Sequence, residues 1–265
     1  MRFLNLFLLC NIVEVLFISA IKAELIMKIY PPFTLPHIFY LLFSIALIVG
    51  GCFFLYSQKI NKPIKTLVVR IIGVIMCLAV LIKQISVVIE HANLGESNAW
   101  VYIFPNSYCS FSAFVLGIFV AINKTDSAPV HFLAYNAIIG CTPSVIYPDY
   151  LYSKPFFAYG TIGSLTFHLL AVFTVIAIRI IGDFKPNYKR FYWFPIGFIF
   201  MVAFGFLLVY GFGSNDAMNI TKPLISDIKL SYWYTLFPLC TLVAGLMVWV
   251  LSKIKPFKEK MITKN

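Results

Sequence analysis

Apolar residues run together along most of this chain, in blocks long enough to cross a bilayer and separated by short polar loops. Seven such blocks predict helices near residues 37–57, 66–89, 101–122, 128–147, 156–181, 191–212 and 232–252. Each approaches the roughly 20 residues that a helix needs to span the hydrocarbon. In that medium only helices and closed barrels satisfy every backbone group. A further apolar run, residues 3–21, is headed by Arg2 and interrupted by Glu14. It reads as an uncleaved signal-like segment, an extra span or a helix lying in the interface. A cleaved signal fits poorly, because Glu14 breaks the apolar region and no small-residue cleavage site follows. Pro31 and Pro32 break any helix before the first mapped span.

The expected fold is an all-α polytopic membrane helical bundle of seven spans, with the N-terminal hydrophobic helix an eighth if it crosses. It divides into residues 1–36 (N-terminal helix and linker), 37–252 (the seven-span domain) and 253–265 (a basic tail). The spans differ in length and polar content, which gives little support to an inverted-repeat transporter.

Composition agrees with this reading: the chain is 61% hydrophobic and 12% charged, about half the charged fraction of a soluble domain. The net charge of +11 lies in loops and the tail, with no compact basic domain to bind nucleic acid. Lys59, Lys62 and Lys65, Lys124, then Arg179, Lys185, Lys189 and Arg190, and finally Lys253 to Lys264 alternate onto one side. The positive-inside rule makes that side cytoplasmic, so the expectation is a multi-pass cell-membrane protein with a cytoplasmic C-terminus. The opposite loops balance Lys154, Lys222 and Lys229 with Asp149, Asp216 and Asp227, and carry Glu90 and Glu96. No metal or nucleotide cofactor is expected, since there is no HExxH, carboxylate cluster or glycine-rich phosphate loop. The six cysteines form no CxxC pair and read mostly as small core residues.

Polar residues within the spans are few, and they concentrate in Phe104-Pro105-Asn106-Ser107-Tyr108-Cys109-Ser110. Polar groups at membrane depth are costly and usually functional. Lys83 reads as an ammonium that snorkels to the interface or pairs with Glu90 on the same helix face. Asn136 and the run Gly140-Cys141-Thr142-Pro143 read as helix packing or a kink, and His131 as an interfacial residue. His168 stands out, because Gly160, Ser164 and His168 recur every four residues and give one small helix face that ends in an imidazole. It is either a structural histidine or a base. Cys109 and His168 lie roughly 12 and 18 Å into their spans at 1.5 Å per residue, so they are able to meet. A thiol in apolar surroundings is inert without a base or positive charge; Cys109 is then a packing residue or, beside His168, a nucleophile. Asp149, His37, Asn215, Asp216 and Asn219 gather on the same side and could roof such a site.

Pro105-x-x-x-Cys109, then Pro148-Asp149, His168, Asn219 with Lys222-Pro223, and Trp233-Tyr234 form an ordered pattern. In this pattern the chain resembles the YwaF-type bacterial integral membrane proteins of the transmembrane protein 164 acyltransferase family, over roughly residues 37–252. The resemblance implies acyl transfer between membrane lipids, with Cys109 and His168 as the catalytic pair. It also marks a departure: the bacterial motif usually reads Leu-Pro-Leu-His-Leu-Cys, and here Ser107 stands at its histidine.

The leading expectation is therefore a membrane-embedded lipid acyltransferase acting on membrane phospholipids and lyso-lipids. Cys109 is the nucleophile and His168 the base, with Asn106, Ser107, Ser164, Asp149, Asn219 and His37 binding or supporting. Asn106, Ser107 or a backbone N–H would hold the oxyanion. The alternatives are a lipid hydrolase with the same pair, a small-solute transporter with His37, Lys83 and His168 along a polar path, or a non-catalytic scaffold.

Overall fold

The computed structural model of the chain describes residues 28–224 and 232–256; the apolar run 3–21, Lys229, Asp227 and most of the basic tail lie outside them. The described residues form seven helices and no strand beyond a single bridge between Ile29 and Pro155. They are α1 (Leu35–Tyr56), α2 (Lys62–Asn93), α3 (Tyr108–Ala121), α4 (Ala128–Ile146), α5 (Tyr159–Ile180), α6 (Trp193–Phe206) and α7 (Trp233–Lys253). Proline stands in the first turn of α1, α2 and α4, where its missing N–H costs nothing. Asn61 caps α2 by accepting from Ile64 N–H at 3.2 Å. All but α3 are long and apolar enough to cross a membrane, once a π-helical turn at Leu207–Gly211 extends α6. The chain is a multi-pass helical bundle. With 32 residues, α2 is about 48 Å long and exceeds the roughly 30 Å hydrocarbon core.

Helices α2, α3, α4 and α5 pack against one another as the centre of the bundle; α1 leans on α5, and α6 and α7 on α4. Burial follows that order. Most of α5 is buried, while α1 and α7 present most of their apolar side chains outward, as a lipid-facing helix must. The α2–α3 contact depends on two glycines. A Cβ at Gly73 would lie 2.9 Å from the Gly117 carbonyl oxygen, and one at Gly117 would lie 2.8 Å from the Gly73 oxygen. Small residues permit such close backbone approach between membrane helices. Gly73→Leu is expected to push the helices apart and destabilise the bundle by about 1–3 kcal/mol, read as a lower midpoint of thermal unfolding in detergent.

One predicted element is corrected. The third span was expected to be helical from residue 101, but Ala99–Ile103 form a 3-10 turn, Phe104 is extended (ψ 144°) and α3 starts only at Tyr108. Pro105 is the reason, because the residue before a proline is driven out of the helical region. Counting helical rise from residue 101 therefore misplaces Cys109, which sits in the first turn of α3 rather than two turns inside it.

Candidate functional site

The start of α3 is built by short-range hydrogen bonds. The Ser107 hydroxyl accepts from Ser110 N–H at 3.3 Å, and Ser107 N–H donates to the Ser110 hydroxyl at 3.2 Å. This capping box satisfies two groups that a helix start leaves without partners. The serine at the departing motif position thus has a definite structural role here. Cys109 follows two residues after the cap, where the first N–H groups of a helix favour negative charge.

Tertiary contacts then fix this turn. Asn136 of α4 donates to the Ser112 hydroxyl at 2.6 Å and the Tyr108 carbonyl at 3.5 Å. From the segment joining α6 to α7, Met218 N–H donates to the Asn106 carbonyl at 3.0 Å, and its own carbonyl accepts from the Tyr108 hydroxyl at 2.7 Å. Asn219, next in sequence, takes a left-handed conformation (φ 53°) and accepts from Trp233 N–H at 3.4 Å.

Three reactive groups meet at this turn. The sulfurs of Cys109 and Cys141 and a ring nitrogen of His168 all lie within 4.8 Å of one another. Cys141 is fully buried and His168 is 5% exposed, while Cys109 is partly exposed. Cys141 comes from α4, on the face that Gly140 and Ser144 share at helical spacing; Ser144 also neighbours the Cys109 thiol. A Cβ at position 140 would stand 2.8 Å from Cys109 Sγ, so glycine makes the room in which the thiol sits. Gly140→Val is expected to displace the thiol and slow its alkylation by iodoacetamide severalfold, at unchanged helicity.

His168 is oriented by its own helix. Its Nδ1–H donates to the Ser164 carbonyl at 2.7 Å, with the Ser164 hydroxyl 3.4 Å from the same nitrogen. Engaging Nδ1 as a donor leaves Nε2 as the basic nitrogen. The Tyr150 ring stacks over the imidazole, with centroids 6.3 Å apart and planes inclined by 18°. Tyr150 belongs to a 3-10 turn, Asp149–Tyr152, that follows α4. Asp149 itself is exposed.

The remaining predicted residues are near but separate. His37 is fully buried, accepts from Phe33 N–H at 2.8 Å and stacks on Tyr40; Tyr40 in turn donates to the Leu165 carbonyl at 2.9 Å. His131, in the first turn of α4, is fully buried, 3.3 Å from Asp126 and 3.1 Å from Arg190. Lys83 does not reach Glu90, which pairs with Lys154 instead. It turns to the cysteine turn, donating to Gln84 Oε1 at 2.8 Å and Asn106 Oδ1 at 3.4 Å. The reason is position: Lys154 reaches Glu90 at the surface, while Lys83 is half-buried between α5 and the α3 start.

Sequence reasoning missed Cys141 and Tyr150. The first looked like one more small core residue, and no pattern marks an aromatic that closes over a histidine. Chemically, the three groups suit a thiol activated by an imidazole. The same donors, two sulfurs and a nitrogen, are also those of a thiolate–imidazole metal site with an open fourth position.

A cavity of about 1280 Å³ lies between α1, α2 and α5. Its wall is nearly all hydrocarbon and includes Tyr40, Leu47, Ile72, Leu165 and Leu169, the last two flanking His168 in sequence.

A family model described as the TMEM164 family matches residues 32–253. No curated protein and no solved structure matches the chain. The chain belongs to the TMEM164 family.

Proposed function

We propose that this TMEM164-family protein is a membrane-embedded acyltransferase that moves a fatty acyl chain between membrane lipids through Cys109 and His168. The observation that carries the reading is the meeting, within 4.8 Å, of a helix-start thiol with an imidazole whose Nδ1 is held by the Ser164 carbonyl. That is the arrangement of a nucleophile, its base and a group that orients the base.

In the first half-reaction Nε2 of His168 takes the proton of the Cys109 thiol, and the sulfur attacks the ester carbonyl of a phospholipid. The carbonyl carbon–oxygen bond to the glycerol breaks, the leaving alkoxide takes the proton from His168, and an acyl thioester remains on Cys109. In the second, a lyso-lipid hydroxyl gives its proton to His168 and attacks the thioester. The carbon–sulfur bond breaks, a new ester forms and the proton returns to sulfur. Backbone N–H groups in the first turn of α3 would receive the oxyanion; one such donor is worth about 3–4 kcal/mol. The apolar cavity along α5 suits the acyl chain. Ser107 is committed to its cap and Asn106 to Lys83 and Met218, so we assign them to holding the turn.

The topology that fits has the C-terminus cytoplasmic and the cysteine turn in the outer half of the cell membrane. A hydrolase would use the same first half-reaction with water as acceptor. Following a labelled acyl chain in proteoliposomes tests the reading. It is expected in lipid product rather than as free acid, and release wholly as acid would overturn the transferase assignment. The activity is expected to survive a chelator such as 1,10-phenanthroline; its loss, restored by Zn²⁺, would make the Cys109–Cys141–His168 group a metal centre instead.

A further inference from the structure

The cysteine turn has a cation beside it, Lys83, that forms no ion pair among the described residues. Lys83 lies on the face of α2 that meets α5 at Gly163, where a Cβ would stand 3.4 Å from Lys83 Cβ and 2.7 Å from the Ala79 carbonyl oxygen. The close helix crossing directs the lysine stem along the interface to the start of α3. There its ammonium donates to Gln84 Oε1 at 2.8 Å and Asn106 Oδ1 at 3.4 Å, and Gln84 in turn donates to the Phe104 carbonyl. Both acceptors are neutral amides. The ion pairs among the described residues are Lys62–Asp183, Lys154–Glu90, Arg190–Asp126, His91–Glu96 and His131–Asp126, and none includes Lys83.

A half-buried ammonium with only amide partners is costly to keep, since the part of its charge removed from water is repaid only by a well-placed countercharge. Asn106, which holds the ammonium at 3.4 Å, stands three residues before Cys109 in the same turn, and the thiol there interacts with the ammonium electrostatically. Among the described residues, the other groups that act on this sulfur are Cys141 and His168, which lie within 4.8 Å of it, Ser144 of α4 and, by charge alone, Tyr150 of the 149–152 turn and Cys240 of α7. Among the described residues none of these is a carboxylate, and of them only His168, besides Lys83, is able to carry positive charge.

We propose that Lys83 is the electrostatic partner of Cys109: together with the start of α3, its ammonium holds the negative charge that appears on the sulfur. It is a positioning residue that acts through the thiol. The labour is then divided: His168 moves the proton, and Lys83 keeps the thiolate available once the proton has left. The assignment rests on the reading of Cys109 as the nucleophile, but its test does not need acyl transfer.

The test is the rate at which Cys109 is carbamidomethylated by iodoacetamide across pH, read on its own peptide by mass spectrometry, for the full chain in detergent. Lys83→Met is expected to slow the reaction at pH 7 about tenfold and to move the profile up by about one pH unit. Lys83→Gln keeps an amide donor for Asn106 but not the charge, and is expected to behave like Lys83→Met. Lys83→Arg is expected to stay within about threefold of the unmodified chain. A profile that does not move in Lys83→Gln, or one that moves as far in Lys83→Arg, would overturn the proposal by leaving Lys83 only a structural tie. If the profile moves as expected while Cys109→Ala keeps full acyl transfer, the electrostatic pairing stands and the acyltransferase reading falls.

Discussion

Cys109→Ala is expected to bring lipid acyl transfer down to the background of the assay and to abolish any acyl adduct on the protein. Loss of the nucleophile in acyl-transfer enzymes costs on the order of 10⁴- to 10⁶-fold in rate, and no other group here is placed to replace it. Cys141 is within 4.8 Å but completely buried, set one turn from the end of α4 rather than at a helix start. The measurement is mass spectrometry of the protein after exposure to a phospholipid donor: a mass increase equal to one acyl group, on the Cys109 peptide and removed by hydroxylamine, is the expected result. Full transfer in Cys109→Ala would end the nucleophile assignment, and the adduct on Cys141 would move it by one helix. Little stability should be lost, because the side chain is small and only partly buried.

Replacing His168 should be nearly as damaging. A general base contributes about 10²- to 10⁴-fold, and His168→Gln is expected to lose that much in rate with little change in apparent donor affinity. Glutamine keeps a donor for the Ser164 carbonyl, so the α5 turn is preserved while the basic nitrogen is lost. The decisive comparison is the double variant. If the thiol and imidazole act as one unit, Cys109→Ala with His168→Gln is no worse than Cys109→Ala alone. Losses that multiply would show two independent roles and return His168 to a structural one.

Much of this site was legible in the chain, and the reason is the membrane. Where almost every residue is apolar, a hydroxyl, thiol or imidazole is conspicuous, and so Phe104–Ser110 and His168 were found; Lys83 was as conspicuous but read as a snorkelling or Glu90-paired cation. What each does was less legible, because polar side chains in a bundle choose partners across helices. Lys83 and Glu90 lie seven residues apart on one helix face, yet Glu90 pairs with Lys154, sixty-four positions away, and Lys83 with Asn106. His131 and Asn136 look alike as isolated polar residues. One closes a contact with Asp126 and Arg190, the other ties α4 to the cysteine turn.

The sequence by itself determined that the chain is a helical bundle, because length and apolarity leave a spanning segment no other way to satisfy its backbone. The order of loops and the two candidate residues, Cys109 and His168, were also read from it. Pro105 and the Ser107 cap, both local, put Cys109 at a helix start that the apolar run had hidden; the rest was left to the tertiary structure. It alone decided that Gly140 leaves room for the thiol, that Cys141 and Tyr150 join the site, and which charge faces which. Those outcomes depend on how closely helices approach, and that distance is set by pairs such as Gly73 and Gly117 on different segments, which no one-dimensional pattern brings together.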